Sequence, residues 1–213
     1  MPRRLAGALL LATTAAALAA GPVWVGRFSR DQLDRWQTKT FAGRTDYRLV
    51  ERDGRTVLRA VSKGTASGLY REIEVDLDRT PYLHWSWRAG DDLGSPAERT
   101  RAGDDYPARV YVVFSGGLAF WRTESINYVW SSAQARGATW PNAFTAQARM
   151  LAVRGKGDAT GRWYHERRNV AADYRALFGG DPGTVDAVAV MTDTDNTGKA
   201  ATAYYGDIYF AAE

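Results

Sequence analysis

Residues 191–198 read MTDTDNTG, a run of carboxylate, amide and hydroxyl side chains between two strongly β-forming segments. Calcium prefers oxygen ligands of this kind, so Asp193 and Asp195 are candidate calcium ligands. An EF-hand is excluded, because its twelfth loop position needs a bidentate Glu and is Tyr204 here. Asp, Asn and Thr also favour turns by hydrogen-bonding to nearby backbone. The stretch therefore predicts a polar hairpin turn, a ligand loop or a calcium site.

A second acidic stretch, GDDYPARVY, brings Asp104 and Asp105 close in sequence to Arg109 at the start of a predicted strand. The guanidinium group is a planar fork of donors that suits a carboxylate or the hydroxyls of a sugar. An Asp–Arg pair can equally serve to neutralise a buried charge. Both interpretations stay open at this point.

A third candidate set consists of polar and aromatic side chains that alternate with apolar ones. If these side chains line one concave sheet, aromatic rings would pack on sugar faces while Arg and Asp would bind hydroxyls. The candidate ligand-binding residues are Arg88, Asp104, Asp105, Arg109, Tyr111, Trp130, Arg168, Tyr205 and Asp207. The alternative is an aromatic-rich core with charged side chains scattered over its outer surface.

Signatures of catalysis are mostly absent from the sequence. Residues 165–169 read HERRN, which lacks the second histidine of the zinc motif H-E-x-x-H. The chain has two histidines and no cysteine, which excludes thiol nucleophiles, disulfides and cysteine-bound metals. A pair of carboxylates for glycoside hydrolysis stays open, and no residue is assigned as catalytic. The acids considered for it are Asp104, Glu166, Asp193 and Asp207.

The elements that position these residues are predicted to be β-strands, because alternation with period two dominates and helical periodicity is nearly absent. Predicted strands cover 46–52, 56–62, 69–77, 82–88, 108–115, 126–131, 149–154, 162–170, 185–192 and 203–210. One short helix is predicted near 172–178, ended by Gly179. This pattern predicts an all-β fold, an antiparallel β-sandwich of jelly-roll type. Residues 89–106 and 132–148 are predicted to be long loops.

The alternation also predicts which side chains face the core. Leu83, Trp85 and Trp87 share one face of their strand and are expected to be buried. In the last strand, the same rule places Tyr205 and Asp207 together on the polar face.

The N-terminus and the overall charge limit where the protein works and what it binds. Residues 1–19 are predicted to be a signal peptide, with a basic start, an apolar run and the cleavage sequence Ala17-Leu18-Ala19. Residues 20–213 are predicted to form a single domain that is exported to the periplasm or beyond. No later segment is apolar enough to span a membrane. The formal charge of +4 includes Arg3 and Arg4 of the signal peptide, so a nucleic-acid partner is not predicted.

Several longer motifs follow one another along the chain: ASGLYREIEVD, LHWSWR, DDYPARVYVVF, INYVW, WYHERRNVAADYRALFG, VAVMTDTDNTG and AYYGDIYF. Their order resembles the bacterial secreted family called domain of unknown function 3047, over about residues 41–210. The resemblance implies a single exported domain and assigns it no activity. More coarsely, the β-rich pattern is similar to the galactose-binding-like jelly rolls of carbohydrate-binding modules, an analogy of fold that does not fix function.

These observations favour a non-catalytic exported domain that binds a glycan or another polar ligand in the cell envelope. One alternative is an envelope hydrolase that uses paired carboxylates. Another is a structural or partner-binding envelope protein, which an exposed apolar patch or strand edge would favour. No cofactor is expected apart from calcium at Asp193 and Asp195.

Overall fold

The structure is a computed structural model that describes residues 21–90, 92–95, 97–114 and 123–213. The predicted signal peptide, residues 1–19, and the predicted strand end at Ser115 lie outside the described residues. No helix within the described ranges is long and apolar enough to cross a membrane.

The described residues form thirteen strands and one α-helix. The strands are β1 (Val23–Gly26), β2 (Gln37–Ala42), β3 (Asp46–Arg52), β4 (Arg55–Lys63), β5 (Ala66–Val75), β6 (Tyr82–Ala89), β7 (Arg109–Phe114), β8 (Glu124–Trp130), β9 (Thr139–Pro141), β10 (Ala148–Arg154), β11 (Tyr164–Asn169), β12 (Val185–Met191) and β13 (Ala200–Ala211). The helix α1 spans Val170–Phe178, and two short 3-10 turns span Phe28–Arg30 and Arg101–Gly103. The predicted short helix is confirmed, two residues longer at its start. The Asn169 side chain caps it by accepting a hydrogen bond from the Ala172 N–H at 2.9 Å.

The strands form two sheets. The first sheet has the order β11-β6-β13-β4-β3, and β1 pairs with the far half of β13. The second sheet has the order β2-β5-β12-β7-β8-β10-β9. The two sheets enclose one main hydrophobic core, which confirms the predicted β-sandwich.

Aromatic side chains join the two layers. Trp85 of β6 lies 5.3 Å from Tyr128 of β8, and Trp87 lies 6.0 Å from Trp130, measured between ring centroids. Leu83 belongs to the same core, so the predicted burial of these β6 side chains is confirmed. The prediction that Trp130 contacts a ligand is wrong, since its side chain is 1% exposed between the sheets.

One strand pair departs from the predicted antiparallel arrangement. β10 runs parallel to β8, with Ala148 opposite Ser125 and Ala152 opposite Val129. A parallel partner needs a crossover connection, and residues 131–147 supply it by returning the chain to the start of β8. Part of that segment forms β9 and pairs antiparallel with β10, so the prediction of a purely irregular loop at 132–148 is wrong at 139–141.

A β-bulge changes the phase of β13. Tyr205 pairs with Trp87 and Ile208 pairs with Trp85, so Gly206 and Asp207 together oppose Ser86. The extra residue moves the buried face from the odd to the even positions of the strand. Tyr205 is therefore fully buried, and its predicted place on the polar face is wrong.

Candidate functional site

A groove of about 520 Å³ lies on the outer face of the second sheet. Its floor includes Arg109 and Tyr111 of β7, which alternate with core residues of the same strand, and Asn127 of the neighbouring β8. Loops after β9 and β12 form its walls, together with Phe41 on the edge strand β2. We call it the second-sheet groove. It is lined by Phe41, Ala42, Ala66, Asp104, Arg109, Tyr111, Ser125, Asn127, Asn142, Phe144, Thr145, Ala148, Met191, Asp193, Asp195 and Asn196.

Arg109 is held in the floor by several partners. Its guanidinium makes two hydrogen bonds to the Asp193 carboxylate, one of them from Nε at 2.9 Å. It also donates to the main-chain oxygen of Asp104 and, at 3.2 Å, to the hydroxyl of Tyr111. Its planar face lies 4.3 Å from the ring centroid of Tyr106. With 3% of its side chain exposed, Arg109 is an integral part of the fold that also reaches the groove.

Burial and charge oppose each other in this pair. Burial raises the pKa of Asp193, Arg109 lowers it, and the nearby carboxylates of Asp105 and Asp104 raise it further, with a net upward direction. Burial alone would lower the pKa of Arg109, but the neighbouring acids hold it well above its usual value. The pair is therefore coupled tightly to its acidic surroundings.

The loop 192–199 contains most of the polar MTDTDNTG run. It connects β12 in the second sheet with β13 in the first, so it is not a hairpin turn. Asp105 fixes it by accepting hydrogen bonds from the N–H groups of Asn196 at 3.2 Å and Thr197 at 2.6 Å. Thr194 fixes its other side, since its hydroxyl lies 2.7 Å from that of Ser62. The polar residues of the loop thus tie the two layers together.

Three carboxylates converge beside the groove. Oxygen atoms of Asp105, Asp193 and Asp195 all lie within 4.8 Å of one another. That spacing fits a calcium ion with ligand distances of about 2.3–2.6 Å. Each of these carboxylates also accepts a hydrogen bond from a protein donor. The predicted calcium site at Asp193 and Asp195 stays a prediction, with Asp105 as an added ligand.

Two exposed phenylalanines flank the groove. Phe41 and Phe144 are 65% and 52% exposed and are the only large apolar side chains with such exposure within the described ranges. Asn142 shapes the turn that carries Phe144, because its amide donates to Asp104 at 2.9 Å and its oxygen accepts the Phe144 N–H at 3.0 Å. The guanidinium of Arg101 lies 5.4 Å from the Phe144 ring centroid and covers one of its faces.

Sequence reasoning missed the two phenylalanines and Asn127. Phe41 stands alone in the otherwise polar strand QTKTFA, and Phe144 stands alone in a polar loop. An isolated large apolar residue in a polar segment was the available signal, although isolated surface apolar residues are common.

The structure separates the predicted ligand-binding set into five places. Asp104, Arg109 and Tyr111 line the second-sheet groove, and Asp105 lies beneath its wall. Trp130 and Tyr205 are in the core. The remaining residues lie elsewhere: Arg88 on the first sheet beside Asp53 at 3.2 Å, Asp207 at the bulge beside Ser29 at 2.5 Å, and Arg168 bonded to Asp173. The prediction of one shared ligand-binding face is therefore wrong for five of the nine residues.

Tyr205 supports the groove from behind. Its hydroxyl donates to the main-chain oxygen of Met191 at 2.7 Å and accepts the N–H of Arg109 at 3.3 Å. It also lies 3.0 Å from the hydroxyl of Thr192. These contacts fix the start of β7, where Arg109 enters the floor.

The candidate hydrolase carboxylates also separate. Glu166 is buried and accepts hydrogen bonds from Arg154 at 2.6 and 2.9 Å and from Trp87 at 2.9 Å. Asp207 lies on the first sheet. Only Asp104 and Asp193 lie together, and both are engaged with Arg109.

Comparison with known sequences identifies the family. Residues 34–209 match a family described as "Protein of unknown function (DUF3047)". The chain belongs to this family. No curated protein matches the sequence.

Solved structures support the fold. The chain is similar to the family 11 carbohydrate-binding module of the cellulosomal cellulase Lic26A-Cel5E of Clostridium thermocellum, with a TM-score of 0.51, 8% identity, and coverage of 92% of this chain and 97% of the module. It is also similar to the xyloglucanase domain of NopAA from Sinorhizobium fredii (TM-score 0.47, 9% identity, 84% and 93% coverage). A third similar structure is the CBM22-1 xylan-binding domain of Paenibacillus barcinonensis Xyn10C, with a TM-score of 0.42, 13% identity, and coverage of 93% of this chain and 99% of that domain. The first of these similarities shows a shared β-sandwich fold.

Proposed function

We propose that the second-sheet groove binds a glycan, outside the cytoplasm, and releases it unchanged. The observation that carries this proposal is that Phe41 and Phe144, the two large apolar side chains with high exposure in the described residues, line the same groove. The faces of sugar rings are apolar, and aromatic side chains bury them while polar groups nearby fix their hydroxyls.

The floor of the groove supplies hydrogen-bonding groups for those hydroxyls. Tyr111 contributes a phenol whose oxygen accepts from Arg109 at 3.2 Å, and the adjacent strand β8 contributes the Ser125 hydroxyl, which accepts from the Asn127 amide at 3.2 Å. These side chains stand on paired strands, so their spacing is set by the sheet and not by a flexible loop. Such a floor is suited to neutral polar groups, because Arg109 is already engaged with Asp193 and Asp104.

The similarity to a carbohydrate-binding module of family 11 adds an analogy of fold to this argument. The N-terminal sequence supports export, since a basic start and an apolar run precede a small-residue cleavage sequence. Turnover has less support than binding. Of the four acids considered for hydrolysis, the two that meet in the groove, Asp104 and Asp193, share one guanidinium, and neither is placed as a free acid or base.

The test is a glycan array followed by calorimetry on the predicted mature chain, residues 20–213. Phe41→Ala and Phe144→Ala should each weaken binding about 5- to 10-fold, because a stacking contact contributes on the order of 1 kcal/mol beyond simple burial. Tyr82→Ala is the matched control, since it removes a half-buried aromatic side chain from the outer face of the first sheet. Its affinity should equal that of the wild type.

Three results would overturn the proposal. The first is an array on which no glycan is bound, and the second is unchanged affinity in both phenylalanine variants. The third is release of a shortened glycan by the wild-type protein, which would make the domain a hydrolase. Circular dichroism on each variant would establish that a loss of affinity is not a loss of fold.

A further inference from the structure

A second pocket, of about 340 Å³, opens on the outer face of the first sheet. We call it the bulge pocket, because the β-bulge of β13 forms one of its sides. It is lined by Ser29, Arg55, Thr56, His84, Trp85, Ser86, His165, Glu166, Gly206, Asp207 and Tyr209. Both histidines of the chain belong to it, including the one in the HERRN motif. The second-sheet groove shares none of these residues.

The pocket exists because the first sheet opens at the bulge. β13 pairs with β4 as far as Tyr205 and with β1 from Ile208 onward, so Gly206 and Asp207 have neither strand beside them. A side chain at Gly206 would fill the opening, because a Cβ there would lie 2.2 Å from the Ser86 hydroxyl oxygen. The opening therefore depends on a glycine at this position.

The acidic groups of the pocket are already satisfied. Asp207 accepts hydrogen bonds from the N–H of Ser29 at 2.8 Å and from its hydroxyl at 2.5 Å. Glu166 is bonded to Arg154 through both of its oxygens. Both carboxylates therefore have hydrogen-bond donors from the protein, and within the described residues Glu166 is also paired with a cation, Arg154.

Several donors of the pocket have no such partner. Within the described residues, the side chains of Arg55, Thr56, Ser86 and His165 make no hydrogen bond to protein. The guanidinium of Arg55 lies 4.2 Å from the ring centroid of Trp163, and that ring is itself fixed by a hydrogen bond to Asp53 at 2.8 Å. Stacking occupies one face of the guanidinium and leaves its edge donors available.

We propose that the bulge pocket binds a small carboxylate that also carries hydroxyl groups, in the class of the hexuronic acids. The edge of Arg55 matches the planar geometry of a carboxylate. Thr56, Ser86 and His165 can hydrogen-bond to hydroxyls, since a hydroxyl group and a neutral imidazole each donate and accept. The volume lies at the lower end of the range for small-molecule sites and suits one sugar unit.

A carboxylate fits better than a phosphate ester. Within the described residues, Arg55 is the one guanidinium that lines the pocket, and Asp207 already places a negative charge there, so a ligand with one negative charge costs less to bind than a ligand with two. A doubly charged phosphate would keep an uncompensated charge next to Asp207. Phosphate is therefore the most informative competing ligand.

The experiment is calorimetry on residues 20–213 with glucuronate, glucose and inorganic phosphate at the same ionic strength. Glucuronate should bind at least 10-fold more tightly than either of the others. Arg55→Gln should abolish that preference, and Thr56→Val should weaken glucuronate binding severalfold. The matched control is Arg59→Gln, on the same strand, where the arginine contacts Asp46 at 3.5 Å and does not line the pocket.

The outcomes separate this pocket from the second-sheet groove. Phe41→Ala should leave glucuronate affinity unchanged, whereas a loss in that variant would place the ligand in the groove and overturn the proposal. Equal affinity for glucose, tighter binding of phosphate, or an equal effect of Arg59→Gln would each overturn it as well. The NMR signal of the Trp163 indole N–H should shift with glucuronate in the wild type and not in Arg55→Gln, which provides a check that does not depend on affinity.

Discussion

At the scale of single residues, the most consequential contact is the buried pair of Arg109 and Asp193. Both side chains are 3% exposed, so neither charge can be balanced by water. Removing Asp193 leaves the buried Arg109 with Asp104 at 3.5 Å as its remaining acid, and removing Arg109 leaves both acids without a cation, so either single change is more costly than removing the pair together. The pair also sets the floor of the second-sheet groove, since Arg109 lines it.

Asp193→Leu is therefore expected to lower the free energy of unfolding by about 3–5 kcal/mol. The double variant Arg109→Met, Asp193→Leu should recover part of that loss, because the closest pair is removed together and only Asp104 is left without its cation at 3.5 Å. Urea unfolding followed by tryptophan fluorescence measures both. A double variant as unstable as the sum of the two single variants would show that the pair is not energetically coupled.

Glu98 is a second buried acid with a definite role. Its carboxylate accepts hydrogen bonds from Ser131 and from the N–H groups of Ser132 and Ala133, and its main-chain oxygen accepts the hydroxyl of Tyr106 at 3.0 Å. It thereby holds the loop before β7 against the crossover segment. Burial raises the pKa of Glu98, and the hydrogen bonds to its carboxylate lower it only in part.

This raised pKa predicts how stability changes with pH. The folded state holds the Glu98 proton more tightly than the unfolded state, so its contribution is full below the unfolded pKa, about 4.3, and is lost as the pH rises through the folded value. The stability of the wild type should therefore fall relative to Glu98→Gln as the pH is raised from about 4 to 7. Urea unfolding across that range tests this, and a constant or growing advantage of the wild type would contradict it.

At the scale of elements, the bulge in β13 has the largest effect on the molecule. It reverses the buried face of the last strand and opens the bulge pocket.

Gly206→Ala should lower the free energy of unfolding by about 1–3 kcal/mol, because the new methyl group would overlap the Ser86 hydroxyl oxygen. Adding Ser86→Gly should restore part of the loss, although glycine in a strand has its own cost. Thermal denaturation of the single and double variants measures the coupling, and simple additivity would contradict the predicted overlap.

The bulge also shows what the sequence could and could not predict. Strict alternation placed Trp85 and Trp87 in the core correctly, because β6 is regular over its whole length. The same rule failed for Tyr205, because a single extra residue shifts the alternation of the strand by one position. Gly206 is the one residue type in the sequence that could have indicated such a bulge. The parallel pairing of β10 with β8 depends on contacts between distant segments, and local patterns do not encode them.

For the candidate site, the sequence predicted which types of residue would pair better than it predicted where in the fold they would lie. The acid–arginine clusters around Asp104 and Asp193 do meet, since both contact Arg109. Arg88 and Asp207 have the same composition signal but stand on the other sheet. Which sheet a strand joins is decided by long-range pairing, so residue type and alternation alone could not divide the set correctly.

At the scale of the whole molecule, the two sheets are joined by aromatic packing inside and by one polar loop at the edge. The 192–199 loop passes from the second sheet to the first and brings Asp193 and Asp195 beside Asp105, which precedes β7. An ion bound to all three acids would therefore fix the position of the two sheets relative to each other. Arg109 is the one cation paired with this acidic cluster in the described residues, so the negative charges outnumber it.

The calcium prediction follows from that excess of charge. An ion that binds only the folded state adds about 2.7 kcal/mol at a concentration 100 times its Kd, which corresponds to a rise in Tm of several degrees for a domain of this size. Millimolar calcium should raise the Tm in a chelator-treated sample, and magnesium should do so less, because it needs a tighter octahedral site. Asp195→Asn should abolish the rise, while Asp34→Asn, at an exposed acid far from the cluster in sequence, should retain it. If the Tm does not respond to calcium, or responds equally in Asp195→Asn, the loop is a polar connection held by its hydrogen bonds to Asp105, Ser62 and Arg109, without an ion.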